Sequence, residues 1–472
     1  MDRANQRELE NITVEQDSHD TEVGSRLPRL RDLIGAVLAV VLVVVAAVVA
    51  KMGNATITPL ITPSARTFRD FTEGAPLFAQ WLPHVGIGTP FAVLIAAAVV
   101  LYGPAVSARM SWRPLMFLAW ASSFGWVLSL ALVDGWHRGF VEKLTAKDEY
   151  LYEVPGVTDI PAMLETFTTH IVDGQIGSWT THVSGHPPGA LLVFVWLDRL
   201  GLQGGVWASM LCVVVGSSAA AAVAIAVRAL AGDALGRRAV PFLVLAPTAI
   251  WIGVSGDGLF AGVAAWGISL LALAAARTVS RPWIFAVGAG ILLGFTVYLN
   301  YGLTLMAIPA LAVLIAARNA RPLLGALVGA LAVAAAFTAS GFWWFDGYQL
   351  VQVRYWQGIA QYRPFAYWGW ANIASAVCAV GLAVPAALHR SFAWTRLRSL
   401  SGLSLLVIAA VLAVAAADLS TLSKAETERI WLPFYVWMLA ATALLPPRTH
   451  RFWLAVQAIA ALAINHLLLT NW

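Results

Sequence analysis

The chain has 472 residues, of which 59% are hydrophobic and only 12% charged, with a mean hydropathy of +0.74. Soluble domains carry about 25% charged residues, so the composition points to an integral membrane protein with little room for a soluble domain. The net charge of +5 is no nucleic-acid signal, because most Arg and Lys stand in short loops beside apolar runs, where they report topology.

The first 25 residues are polar and of mixed charge, and 1–32 read as a disordered cytoplasmic tail ahead of one membrane domain, 33–472. The apolar run from Leu33 is followed by further hydrophobic segments and by no cleavage site, which makes it a retained span rather than a signal peptide. Runs near the length of about 20 residues that a span needs occur at 33–51, 88–107, 115–133, 205–228, 240–254, 259–277, 283–299, 303–317, 322–341, 369–388, 402–418, 429–445 and 452–469. They predict an all-α polytopic protein with about thirteen transmembrane helices. Both cysteines, Cys212 and Cys378, fall inside these runs and suggest neither a metal site nor a disulfide framework.

Basic residues orient the chain. Arg26, Arg29 and Arg31 place the N-terminus in the cytoplasm, Arg109 and Arg113 return the chain there, and the third span delivers Asp134 to the outside. The run 190–197 is too short to cross. Read as a juxtamembrane or re-entrant helix, it leaves five later basic loops, beginning with Arg237–Arg238, on the cytoplasmic side. The outer face then collects the residues 52–87, a large polar loop 134–204, Asp257 in SGDG, the aromatic-rich stretch 342–368 and ADLSTLSKAETERIWLPF.

The chemistry-bearing groups lie in these loops. In DEYLY, Asp148 and Glu149 stand side by side before Tyr150; a carboxylate there takes a proton from a sugar hydroxyl or, with its neighbour, holds a metal beside a phosphate. Acids in an outer loop also merely face water, so the pair alone decides nothing. Asp134 ends a span, where an acid has a partner, a task or a capping role. In THVSGHPPG, two prolines set a rigid helix start with the His186 imidazole held at its N-terminal end, where the dipole favours anions. The same prolines keep His182 and His186 off a shared helix face, which argues against a metal pair. Lys424, Glu426 and Arg429 precede the twelfth span, and a guanidinium at that depth either clamps a lipid-linked phosphate or anchors the chain beside Trp431. Arg354 and Arg363 add cations from the aromatic loop, and Asp257 either pairs with one of these cations or touches substrate hydroxyls. No GxxxxGK[ST], HExxH or CxxC is present. The near absence of charge inside the spans counts against proton-coupled transport.

DE-x-x-Y, an amphipathic stretch, then HPP leading a short apolar helix that ends at Gly201 resembles the GT-C superfamily of membrane glycosyltransferases. The similarity is to the branch with protein mannosyltransferases and actinobacterial arabinofuranosyltransferases. It covers 115–260 best, and ERIW before a late span is similar to a feature of actinobacterial members. The resemblance implies juxtamembrane helices in a large outer loop, a polyprenyl-phosphate sugar donor, an extracytoplasmic glycan or lipid acceptor, and inversion at the anomeric carbon. It implies a plasma-membrane location with the active site outside. It gives one of Asp134, Asp148 and Glu149 the role of general base. Tyr150, His182, His186, Asp257, Arg354, Arg363, Lys424, Glu426 and Arg429 are the candidates for holding substrate or phosphate. The expectation is that no cofactor is required, although an acid pair with waters can hold Mg²⁺, and that the partners are lipids and no nucleic acid. Two spans precede the family's usual first one, and the acidic pair lies some fourteen residues beyond the membrane edge, which keeps Asp134 a rival. The competing classes are a flippase or transporter of lipid-linked sugars and a non-catalytic assembly subunit.

Overall fold

The computed structural model describes residues 29–52 and 74–470; the expected tail, through residue 28, and most of the first outer loop lie outside the described residues. Among those described, the architecture is all-α apart from one two-stranded pairing. Its long helices are α1 (Leu30–Lys51), α2 (Thr89–Arg109), α3 (Trp112–Ala131), the collinear pair α5 (Gly205–Ser217) and α6 (Ala219–Ala231), α7 (Gly256–Ala275), α8 (Pro282–Leu299), α9 (Pro322–Ala339) and α13 (Gly402–Leu419). These make eight segments long and apolar enough to span a bilayer, with α3 running on to Asp134. A ninth arises if α11 (Phe365–Val380) and α12 (Ala383–Ser391), which meet at 105°, form one broken span.

The remaining expected spans are shorter or less regular. Residues 240–254 are divided between helices Asp233–Val244 and Ala249–Ile252, with Pro247 between them. The segments Tyr301–Ala316 and α14 (Leu432–Leu444) are apolar but under 18 residues. The last run forms α15 (His450–Leu467), which is helical throughout but carries Arg451, Gln457, Asn465 and His466. The run after HPPG forms α4 (Pro188–Arg199), 12 residues long. At 1.5 Å per residue it reaches about 18 Å, short of a hydrocarbon core of about 30 Å.

Contacts sort the connections into two ends. At one end Asp32 bonds Arg390, Arg237 donates to the carbonyls of Ser107 and Met110, and the Asn319 amide donates to the Ala275 carbonyl. At the other end every elaborated loop meets another. Strand β1 (Ala79–Trp81) pairs antiparallel with β2 (Leu468–Thr470), Ala79 opposite Thr470, which ties the first polar loop to the end of α15. Ser209 near the start of α5 donates to the Phe140 carbonyl, and Asp173 N–H donates to Gln357 on the surface helix α10 (Trp344–Gln357).

Small residues set the helix spacing, as they do wherever apolar helices pack without a hydrophobic driving force. A Cβ on Gly290 would fall within the backbone of Ala326, and one on Gly329 within the carbonyl of Val287. Gly290→Val is therefore expected to push α8 and α9 apart and to cost about 1–3 kcal/mol of stability, read as a lower thermal unfolding midpoint in detergent.

Candidate active site

The Asp148–Glu149 pair divides as the chain turns into the short helix Tyr150–Glu153. Glu149 caps it in extended geometry and is buried, whereas the Asp148 side chain faces solvent. The Asp148 carbonyl accepts from His182 twice, from the backbone N–H at 3.0 Å and from Nδ1 at 2.8 Å. A carbonyl only accepts, so Nδ1 carries the His182 proton. Nε2 then accepts from the Arg429 guanidinium at 3.3 Å, and Glu149 Oε1 lies 3.4 Å from Nδ1.

Arg429 is the centre of the cluster. Its Nη1 is 2.8 Å from Asp257 Oδ2 and its Nη2 is 3.6 Å from Glu426 Oε2. Glu426 also binds Arg363 at 2.8 Å, so it bridges two guanidinia. Burial opposes the Arg429 charge, but Asp257, Glu426 and Glu149 outweigh it. Burial likewise opposes ionisation of Glu426, and Arg363 and Arg429 overcome it, holding the carboxyl below its usual value. Asp257 occupies the first turn of α7, where the helix dipole favours an anion, and Ser255 caps that turn. Its second oxygen, Oδ1, is buried with no hydrogen-bond partner among the described residues.

The HPP turn forms as the sequence requires. Pro187 is the extended N-cap of α4 and Pro188 its first residue. His186 Nδ1 lies 2.7 Å from the His182 carbonyl and 3.1 Å from the Tyr150 hydroxyl. The carbonyl again requires the proton on Nδ1, which leaves Nε2 as an acceptor. Burial pushes the imidazole down to about 4, so it is neutral at pH 7 and suited to accept from a hydroxyl. A neutral Nδ1–H tautomer has no second proton to donate to a phosphate. Tyr150 stacks on Phe194, and burial with the Asp257 and Glu149 carboxylates pushes its phenol well up, so it keeps its proton. A Cβ on Gly256 would press on the Tyr150 ring at 3.0 Å.

Lys424 differs from the arginines. It is buried, its ammonium lies 4.4 Å from the centre of the Trp356 ring, and it has no carboxylate partner among the described residues. Burial and Arg363 lower its pKa. Arg354 reaches Ser184 and Asp173 and pins α10 over the HPP turn instead of joining the cluster.

Asp134 stands in a separate nest. It bonds His84 at 2.9 Å and Arg138, and Arg138 also donates to the Thr470 carbonyl. Lys143 belongs there too; burial and Arg138 push its amine down to about 7, against the pull of Asp134 and Glu149. The β pairing that builds this nest was not legible beforehand. Also missed was Asn372, a fully buried amide on α11, whose signal was a polar residue inside the run 369–388. Among the described residues no three His, Cys, Asp or Glu side chains gather as a metal site.

No protein-family model and no curated protein sequence matches the chain. Among solved structures it is similar to the Archaeoglobus fulgidus oligosaccharyltransferase in complex with Zn and sulfate, at 15% identity and a TM-score of 0.41, over 70% of this chain and 48% of that one. The same archaeal enzyme tethered to an acceptor peptide matches at 13% identity and a TM-score of 0.42, over 72% and 50%. The chain spans about half the length of these structures.

Two outcomes follow from this geometry. Asp257→Leu strands the buried Arg429 charge and is expected to cost about 3–5 kcal/mol, whereas the double variant Asp257→Leu/Arg429→Met costs much less; unfolding of both proteins in detergent separates the two. For His186, the unfolded chain binds a proton from pH 6.5 downward that the folded chain refuses until about pH 4. Stability therefore falls as pH drops through that window, and His186→Gln is expected to flatten this part of the unfolding profile.

Proposed function

We propose that the protein is a membrane glycosyltransferase of GT-C type that moves a sugar from a polyprenyl-phosphate donor to a glycan or lipid acceptor at the outer face of the plasma membrane. The observation that carries this reading is the convergence of three distant stretches, 149–186, 257 and 424–429, on one buried polar cluster at the end of the apolar bundle. A lipid phosphate whose tail lies among the helices presents its headgroup at that depth. The basic loops at the opposite end support a cytoplasmic position for that end.

In this mechanism the acceptor hydroxyl gives its proton to the Glu149 carboxylate as its oxygen bonds to the anomeric carbon. The bond from that carbon to the phosphate oxygen breaks, and its electron pair leaves on the polyprenyl phosphate with inversion. Lys424, which has no carboxylate partner among the described residues, receives the developing charge, and Arg429, held by Asp257, is the second cation of the site. Asp257 Oδ1 and His186 Nε2 accept from sugar hydroxyls. Glu149 is preferred as base because Asp148 points away into solvent and Asp134 is held by His84 and Arg138 in a different nest.

The test is transfer of radiolabelled mannose or arabinofuranose from polyprenyl-phosphate donors by membranes carrying the wild type and single variants. Glu149→Gln is expected to lose about 10²–10⁴-fold in rate while still binding donor, Asp148→Asn to stay near wild type, and Lys424→Gln to raise the donor KM. A folded wild type that binds donor and never transfers sugar would sink the enzyme reading in favour of a flippase or an assembly subunit.

A further inference from the structure

The loop that carries Lys424 and Arg429 is held in a backbone shape its sequence does not favour. Ala425 and Glu426 are consecutive non-glycine residues in the left-handed region, with φ of 67° and 61°. Such residues persist only when their surroundings over-determine them. The surroundings here converge on Asn372. Its Nδ2 donates to Asp418 Oδ1 and to the Ser423 carbonyl, each at 2.8 Å, and its Oδ1 accepts from Ala425 N–H at 3.2 Å. Both amide protons face oxygens that accept, which fixes which way round the amide lies.

These bonds bracket Lys424 on both sides, at the carbonyl before it and the N–H after it. Two further bonds complete the clamp: Lys424 N–H donates to the Tyr355 hydroxyl at 3.2 Å and its carbonyl accepts from Arg363 at 2.7 Å. The backbone of Lys424 is fully committed while its ammonium is not. One turn along α11 from Asn372, Ser375 donates to Glu428 at 2.7 Å, and Glu428 also accepts from Phe78 N–H at 2.9 Å. One face of α11 therefore grips the loop 423–428 from beneath.

We infer that Asn372 is a positioning residue for the lipid-phosphate site: it sets the backbone on either side of Lys424 and, through the left-handed pair Ala425–Glu426, delivers Glu426 to the Arg363 and Arg429 guanidinia. The inference rests on the reading of Lys424 as the phosphate receptor. It adds a residue that touches no substrate and acts through the geometry of the loop.

The experiment measures donor KM and kcat in the transfer assay, and binding of polyprenyl phosphate itself through the fluorescence of the full-length protein, whose Trp356 lies beneath Lys424. Asn372→Ala is expected to raise both the donor KM and the Kd for polyprenyl phosphate by about tenfold or more, the equivalent of losing one or two buried hydrogen bonds, with the acceptor KM unchanged. Ala425→Gly, added to Asn372→Ala, is expected to recover part of the loss, because glycine adopts the left-handed geometry without a clamp. Asn372→Asp supplies a readout that a merely structural role would not move. It places a second carboxyl beside Asp418, the two share a proton, and the protonated form mimics the amide at two of its three bonds. Its donor affinity should fall as pH rises, along a limb absent from the wild type. A folded Asn372→Ala with unchanged donor KM and Kd, or an Asn372→Asp profile parallel to wild type, overturns the inference and leaves the glycosyltransferase reading standing. Should Asn372→Ala not fold, the Asn372→Asp pH profile decides alone. A wild type that neither transfers sugar nor binds polyprenyl phosphate overturns both.

Discussion

The Arg429 guanidinium, buried between Asp257 and Glu426, is the interaction on which the polar end of this protein depends. A charge withdrawn from water is tolerated only when it is paired and hydrogen-bonded, and here the partners come from the first turn of α7 and from the loop before residue 427. His182 bonds the same guanidinium from the large polar loop. Folding the apolar bundle and assembling the polar cluster are for this reason one event. Helices that pack out of register would part Arg429 from Asp257 and leave that carboxylate without its cation.

The surrounding elements keep that charge arrangement in place without entering it. Buried Arg363 holds Glu426, Asn372 holds the loop from beneath, and Arg354 ties α10 across the HPP turn. The cluster is left with acceptors toward a ligand in Asp257 Oδ1 and His186 Nε2, and with Lys424, which is stacked on an indole and bonded to no carboxylate among the described residues. A ligand that offers hydroxyls on one side and a phosphate on the other matches both features. The site is thus a largely neutralised network in which the Lys424 charge has no carboxylate partner among the described residues, and in the proposed reading that asymmetry orients a headgroup.

Much of the candidate site was legible in the linear chain because its residues break the pattern around them. Glu149, His182, His186 and Arg429 stand out against Ala, Val and Leu, and the double proline dictates the turn that presents His186 whatever the tertiary context. Which acid of DEYLY turns inward was not legible, since adjacent residues leave a turn in opposite directions and only packing chooses between them. The pairing of β1 with β2 was hidden for a related reason. Each strand has three residues, too few to show an alternating pattern, and 468–470 continues an apolar helical run. Asn372 was visible as a polar residue in a span, but nothing local disclosed that its amide would grip a loop 51 residues away at Ser423.

Composition and the placement of arginines settled by themselves that the chain is a helical bundle with a plain end and an elaborated end, because apolar length and basic flanks are properties of segments. The three-dimensional arrangement alone decided that Asp134 joins His84 while Glu149 joins the Arg429 cluster. Spacing along the chain foretells only local pairs such as Asp134–Arg138 and Glu426–Arg429, four and three residues apart; which distant charges neutralise one another follows from where the helices end in space.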